Sequence, residues 1–111
     1  MSMPHHAAKT KTQVAVLEAE DTKLAGPWHV ILHNDNDHSY QYVIEMLGRL
    51  FGHSAEKAFR MAKEVDSTGR AIVDTTSKER AELKRDQIHA FGKDPLIERC
   101  AGSMSSSIEL A

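Results

Sequence analysis

The stretch "VILHNDNDHSYQYVIEML", Val30 to Leu47, decides how the chain is read. Its first part belongs to "WHVILH", Trp28 to His33, which alternates and is rich in bulky and β-branched residues. That pattern suits a strand with Trp28, Val30 and Leu32 facing inward. From Ser39 onward the period changes. Tyr42, Val43, Met46, Leu47, Leu50 and Phe51 recur at three- and four-residue spacing, which draws one apolar stripe along a helix of about three to four turns. Between the two lies "HNDNDHS", His33 to Ser39, crowded with amides, acids and histidines. Its plainest reading is a strand-to-helix turn in which Asp37 or Ser39 caps the helix and the other polar groups are solvated.

Outward from this unit the punctuation is regular. Gly52 closes the first helix, and Ser54 is placed to cap a second, with Ala55, Ala58, Phe59, Ala62 and Val65 on one face and Gly69 after its end. "RAIVDT", Arg70 to Thr75, is a β-branched run that predicts a second strand. Thr76 and Glu79 form a capping-box pattern for a third helix reaching about Phe91, ended by Gly92 and Pro95. A final strand is expected near Ser103 to Leu110. The predicted order is β-α-α-β-α-β, an α+β domain with three helices on one face of a small three-stranded antiparallel sheet.

With 111 residues, 41% of them hydrophobic, there is room for one domain and a modest core. Residues 27–111 are read as that domain. Residues 1–26 mix charges, Thr and Ala ahead of the Gly26-Pro27 break, which reads as a flexible extension. Fourteen Lys and Arg against sixteen Asp and Glu, with no dense basic run, argue against nucleic acid as a partner. The apolar runs are short and the polar start "MSMPHHAAKTKTQ" has no signal-peptide core, so a membrane partner and export are not expected. Cys100 is the single cysteine, which fits a reducing, cytoplasmic setting.

The polar turn invites three chemical readings, each weak by itself. An EF-hand counted from Asn34 has Asn36 and His38 at alternate positions and Glu45 in twelfth place. It fails at Ser39, where the loop needs Gly and a helix already starts. His33, His38 and Asp35 have no spacing that fixes a zinc geometry, and no metal or cofactor is expected. A hydrolase lacks the G-x-S-x-G turn, and a lone Cys100 reads as a small apolar filler. An enzyme is therefore not expected.

Taken together, "VILHNDNDHSYQYVIEML", "EKAFRMAKEVDSTGRAIV" and "KERAELK" resemble the ClpS family, from about Trp28 to Leu110. Its members are adaptors that deliver proteins bearing destabilising N-terminal residues (N-degrons) to a Clp AAA+ unfoldase and its protease. The resemblance implies an apolar pocket for the first side chain of a peptide and a polar rim for its free α-amine. Asn34 would hydrogen-bond the amine or adjoining peptide, and Asp35 would orient the turn or bind the peptide backbone. Val43 and Val65 would wall the pocket.

Several positions depart from the family pattern. Asn36 replaces an acidic residue, His38 a Thr, Tyr40 the Met that gates the pocket, and Ala62 another wall Met. Asp66 stands where the family has a His that meets the amine. Extra residues around "ERCAGSM" leave either Leu96 or Met104 to close the pocket. Glu79 and Lys84 match charged positions of the unfoldase-docking helix. The implied partners are N-degron peptides and a ClpA- or ClpC-type unfoldase, bound by a monomer. Two alternatives stay open: an altered preference for basic or broader first residues, and an interaction domain like the C-terminal domain of the ribosomal stalk protein.

Overall fold

The computed structural model describes residues 27–35 and 37–111. The expected N-terminal extension, residues 1–26, and Asn36 lie outside the described residues. Strand β1 is Trp28–His33, followed by helix α1 (Tyr40–Phe51), helix α2 (Ala55–Thr68), strand β2 (Arg70–Thr76), helix α3 (Lys78–His89) and strand β3 (Ser105–Leu110). The order is the predicted one. β1 lies in the middle and pairs antiparallel with both neighbours, giving β2-β1-β3.

The alternation of β1 and β2 decides which side the helices cover. Val30, Leu32, Ala71 and Val73 point to one face and are buried with Met46, Leu47, Ala58, Ala81 and Ile88 from the three helices. Burial of these side chains is the main stabilising term, at about 25 cal/mol per Å² of apolar surface. Ile31 points to the other face and is buried as well, beside Ile72 of β2 and Ser107 of β3. The β1–β2 register slips at Val73, because Val30 pairs with Asp74 and Ile31 with Ile72. The carbonyl of this bulged Val73 accepts a bond from His53 Nε2 at 2.6 Å.

Local chemistry sets the boundaries. The Ser39 hydroxyl accepts from the Tyr42 N–H at 3.1 Å and Ser54 from the Lys57 N–H at 3.2 Å, each satisfying a donor that a helix start leaves open. Gly69, at φ +91°, ends α2 in the left-handed region. Its carbonyl then accepts from the Asn34 N–H at 3.0 Å, which fixes the polar turn against the start of β2.

Two boundaries differ from expectation. Thr76 is still in β2, and Ser77 caps α3 by accepting from the Arg80 N–H at 3.3 Å, so the expected capping box is one residue out of register. α3 stops at His89, and the Phe91 N–H turns back to the Ile88 carbonyl in a tighter turn. β3 begins at Ser105, two residues later than expected. Ser103 is engaged by its hydroxyl with the Gly92 N–H at 2.6 Å, and Met104 is drawn into the core.

Candidate functional site

The turn after β1, the first turn of α1, the second half of α2 and the approach to β3 converge on a cavity of about 110 Å³. Asn34, His38, Tyr40, Val43, Ala62, Val65, Asp66 and Met104 line it. Helical spacing explains the grouping: Tyr40 and Val43 are three residues apart, and Ala62, Val65 and Asp66 share one face of α2. Val43, Ala62, Val65 and Met104 are buried and make an apolar floor. Ala62 ends at its methyl, which leaves the floor open where a longer side chain would fill it.

The rim is polar. Tyr40 donates its phenolic hydrogen to Asp66 Oδ2 at 2.9 Å, bridging the start of α1 and the end of α2. The Tyr40 ring also meets Phe59 edge to face, with centroids 5.6 Å apart. The hydrogen bond to Asp66 raises the Tyr40 pKa above the ordinary tyrosine value, with burial and the carboxylate's charge adding to it. Asn34 also lines the cavity, with its backbone N–H held by the Gly69 carbonyl.

Asp35 works inside the turn. Its Oδ1 accepts from the Asp37 N–H at 3.0 Å and pairs with His38 Nδ1 at 2.8 Å. The His38 side chain is only 2% exposed, and its Nε2 faces the Gly102 carbonyl at 2.8 Å and Cys100 Sγ at 3.3 Å. A carboxylate and a carbonyl are both acceptors, so each ring nitrogen of His38 faces one. His38 therefore joins the polar turn to the segment before β3.

That segment is fastened at several further points. Asp94, 1% exposed, accepts from the Ser39 N–H at 2.6 Å and from the Leu96 N–H at 2.8 Å. Burial alone would raise its pKa. The N–H groups of Ser39 and Leu96, the Ser39 hydroxyl and His38 outweigh burial and hold the carboxyl below the usual range. The Asp94 N–H meets Cys100 Sγ at 3.2 Å, and Arg99 Nε pairs with Asp37 Oδ1 at 2.6 Å. Tyr42 donates its hydroxyl to the Gly92 carbonyl, and burial pushes this phenol up to about 12. Met104 is delivered to the cavity by these bonds.

The placement of the expected residues is thus uneven. Asn34, His38, Tyr40, Val43, Ala62, Val65, Asp66 and Met104 are together, whereas Asp35 sits behind the rim. Leu96 is not at the cavity. It is 59% exposed and borders a separate depression with Gln41, Tyr42, Glu45, Asp94 and Pro95, because Asp94 bonds the Leu96 N–H and turns the chain outward. Cys100, read as an apolar filler, is buried but tied into the hydrogen-bond network. Asp94 was not singled out in the sequence at all, and nothing local marks it, since its partner Ser39 is 55 residues away. His33 pairs with Ser107 Oγ at 2.7 Å, apart from the His38–Asp35 pair.

On α3, Glu79 is exposed beside Ser77, Arg80 and Leu83 in a shallow depression. Lys84 is not on that free face. It is 8% exposed, donates to the Leu50 carbonyl at the end of α1 and lies 5.5 Å from the Phe51 ring centroid. Its ammonium closes a helix end, where a cation is favoured.

Chemically, a carboxylate and a carboxamide above a floor of Val43, Ala62, Val65 and Met104 suit a ligand that combines hydrogen-bond donors with a hydrocarbon group. Comparison with known proteins points the same way. The family model of the ATP-dependent Clp protease adaptor protein ClpS matches residues 23–96. The chain is 40% identical over 81 residues to the ATP-dependent Clp protease adapter protein ClpS of Vibrio atlanticus, covering 71% of this chain and 76% of that one. It is 35% identical over 66 residues to the Streptomyces coelicolor protein of the same name, covering 60% and 69%. The fold is similar to that of Agrobacterium tumefaciens ClpS2, solved bound to L-phenylalaninamide, with TM-score 0.64, 22% identity, and 74% of this chain and 93% of that one covered.

Proposed function

The chain belongs to the ClpS family of Clp protease adaptor proteins, and from that premise we propose how it does an adaptor's work. It seats the free N-terminus of a protein whose first residue is bulky and apolar, and hands that protein to a Clp AAA+ unfoldase of the ClpA or ClpC type. The observation that carries this reading is the position of Asp66 and Asn34 at the mouth of a floor made by Val43, Ala62, Val65 and Met104.

An α-ammonium has donors and no acceptor, so it needs carboxylate or carbonyl partners, and charge-assisted bonds of this kind are about twice as strong as neutral ones. Asp66 supplies the charge and Asn34 a second acceptor. An acetylated or internal residue offers neither the charge nor the donors. Asp35 holds the turn in shape through Asp37 and His38, and so acts on the ligand indirectly. The apolar floor gains free energy from the first side chain in proportion to the area it buries. A basic first residue would leave its charge over that floor without a partner, which is costly.

Hand-over needs a second surface. We assign it to the exposed face of α3 around Glu79, Arg80 and Leu83, with Lys84 bracing α3 against α1 from beneath. Residues 27–111 form the adaptor domain in this reading, and residues 1–26 an extension used during transfer.

Reconstituted proteolysis tests the whole proposal. A reporter beginning with Leu should be degraded by a Clp unfoldase and protease several-fold faster when this chain is added, and a Met-initiated reporter should not. Equal stimulation of both reporters, or of neither, would defeat it.

A further inference from the structure

We propose that Asp94 is a positioning residue for peptide recognition: its buried carboxylate ties the start of α1 to the segment before β3 and thereby seats Met104 in the cavity floor. This deepens the adaptor reading and rests on it.

Between His89 and Ser105 the chain forms neither helix nor strand, and connections of this length in small domains are commonly functional. Three side chains of this segment are buried: Asp94, Cys100 and Met104. Met104 reaches the cavity, yet it precedes the first residue of β3 and has no ladder partner of its own. Methionine is unbranched, with three rotatable bonds, and adapts to the space it is given. Its place in the floor must be set by its neighbours.

Asp94 is the charged member of the buried trio. A buried carboxylate is costly unless strong donors surround it, and here the Ser39 N–H donates to Oδ2 at 2.6 Å and the Leu96 N–H to Oδ1 at 2.8 Å. The two donors belong to different walls. Ser39 caps α1, which carries Tyr40 and Val43 to the cavity, and Leu96 begins the path to Met104. Asp94 also shapes that path with its backbone. Its N–H donates to Cys100 Sγ at 3.2 Å, its carbonyl accepts from the Ile97 N–H at 3.3 Å, and Cys100 Sγ lies 3.1 Å from the Gly102 carbonyl. Asp94 itself does not line the cavity. It acts on the ligand through Met104.

Asparagine separates charge from shape at this position. Its amide keeps one acceptor oxygen, but its NH2 group would confront an N–H that needs an acceptor, so one of the two ties is lost at nearly constant volume.

The test is a double-mutant cycle read as the affinity of one Phe-initiated peptide with a free amine, for wild type, Asp94→Asn, Met104→Ala and the double variant. Asp94→Asn should weaken binding about five- to tenfold when Met104 is present and less than twofold when it is already alanine. A merely structural role would lower the folded fraction and weaken binding in both backgrounds alike. An equal loss in both, or no loss in either, would overturn the proposal. If Met104→Ala impairs folding, the methyl resonance of isotope-labelled Met104 gives the answer without it. That resonance should move when the Phe peptide binds wild type, and in peptide-free Asp94→Asn it should already have left its wild-type position. An identical Met104 resonance in the two peptide-free proteins would overturn the proposal and leave the adaptor reading standing. No binding of the Phe peptide to wild type, or equal binding of its acetylated form, would remove the adaptor reading and this role of Asp94 together.

Discussion

Asp66 already accepts one hydrogen bond, from Tyr40, and any ammonium seated in the cavity would offer it a second. A hydrogen bond to a charged group is worth about 1.5–3 kcal/mol, so Asp66→Ala should weaken binding of a free-amine peptide by roughly ten- to a hundredfold. Asp66→Asn keeps an acceptor and should lose less. Calorimetry decides it, and unchanged affinity would place the amine elsewhere. Asp94 makes a different prediction, about stability. Its carboxyl is held below the usual pKa when folded, so its contribution is complete above the unfolded value and is lost as pH falls through the folded one. Asp94→Ala should destabilise the protein by about 1–3 kcal/mol near neutrality, since it removes the buried acceptor of the part-buried Ser39 N–H and of the Leu96 N–H. In thermal melts the gap to wild type should close as pH falls below the ordinary carboxylate range; a gap constant with pH would contradict the assignment. The two residues also differ in how legible they were. Asp66 sits at helical spacing from Ala62 and inside a recognisable pattern, whereas Asp94 acquires its role from a partner that the linear sequence gives no reason to connect with it.

The secondary-structure elements were legible wherever their limits are chemical and local. Ser39, Ser54, Gly52 and Gly69 each end or begin a helix through their own side chain or backbone conformation; Ser54, Gly52 and Gly69 are readable directly, and Ser39 as one of two candidates beside Asp37. The start of α3 was ambiguous because Thr76 and Ser77 are both capping types, and only the β1–β2 pairing keeps Thr76 in the strand. This yields a direct check: Ser77→Ala should cost about 1 kcal/mol, and Thr76→Ala should not remove a cap. Chemical denaturation of both variants would show the difference, and a larger loss at Thr76 would restore the expected register. The stretch between α3 and β3 was least legible. Its path is set by Asp94, Cys100, Gly102 and Ser103 reaching groups far away in sequence, so the choice between Leu96 and Met104 depended on contacts and not on pattern.

At the scale of the molecule, placing β1 in the centre of the sheet puts its C-terminal turn between α1 and α2, and this is why a pocket forms there. The same arrangement carries α3 across the sheet with Glu79 and Leu83 exposed and Lys84 turned inward. If α3 presents the docking face, Glu79→Lys should weaken co-sedimentation with a Clp unfoldase hexamer while leaving peptide affinity unchanged. Loss of both functions together would mean that the two surfaces are not separate. The central claim is narrower, that the rim recognises an uncapped amine above an apolar floor. The most direct measurement is the affinity of this protein for one Leu-initiated peptide with its N-terminus free and then acetylated. The free form should bind at least tenfold more tightly, and equal affinities would contradict the account.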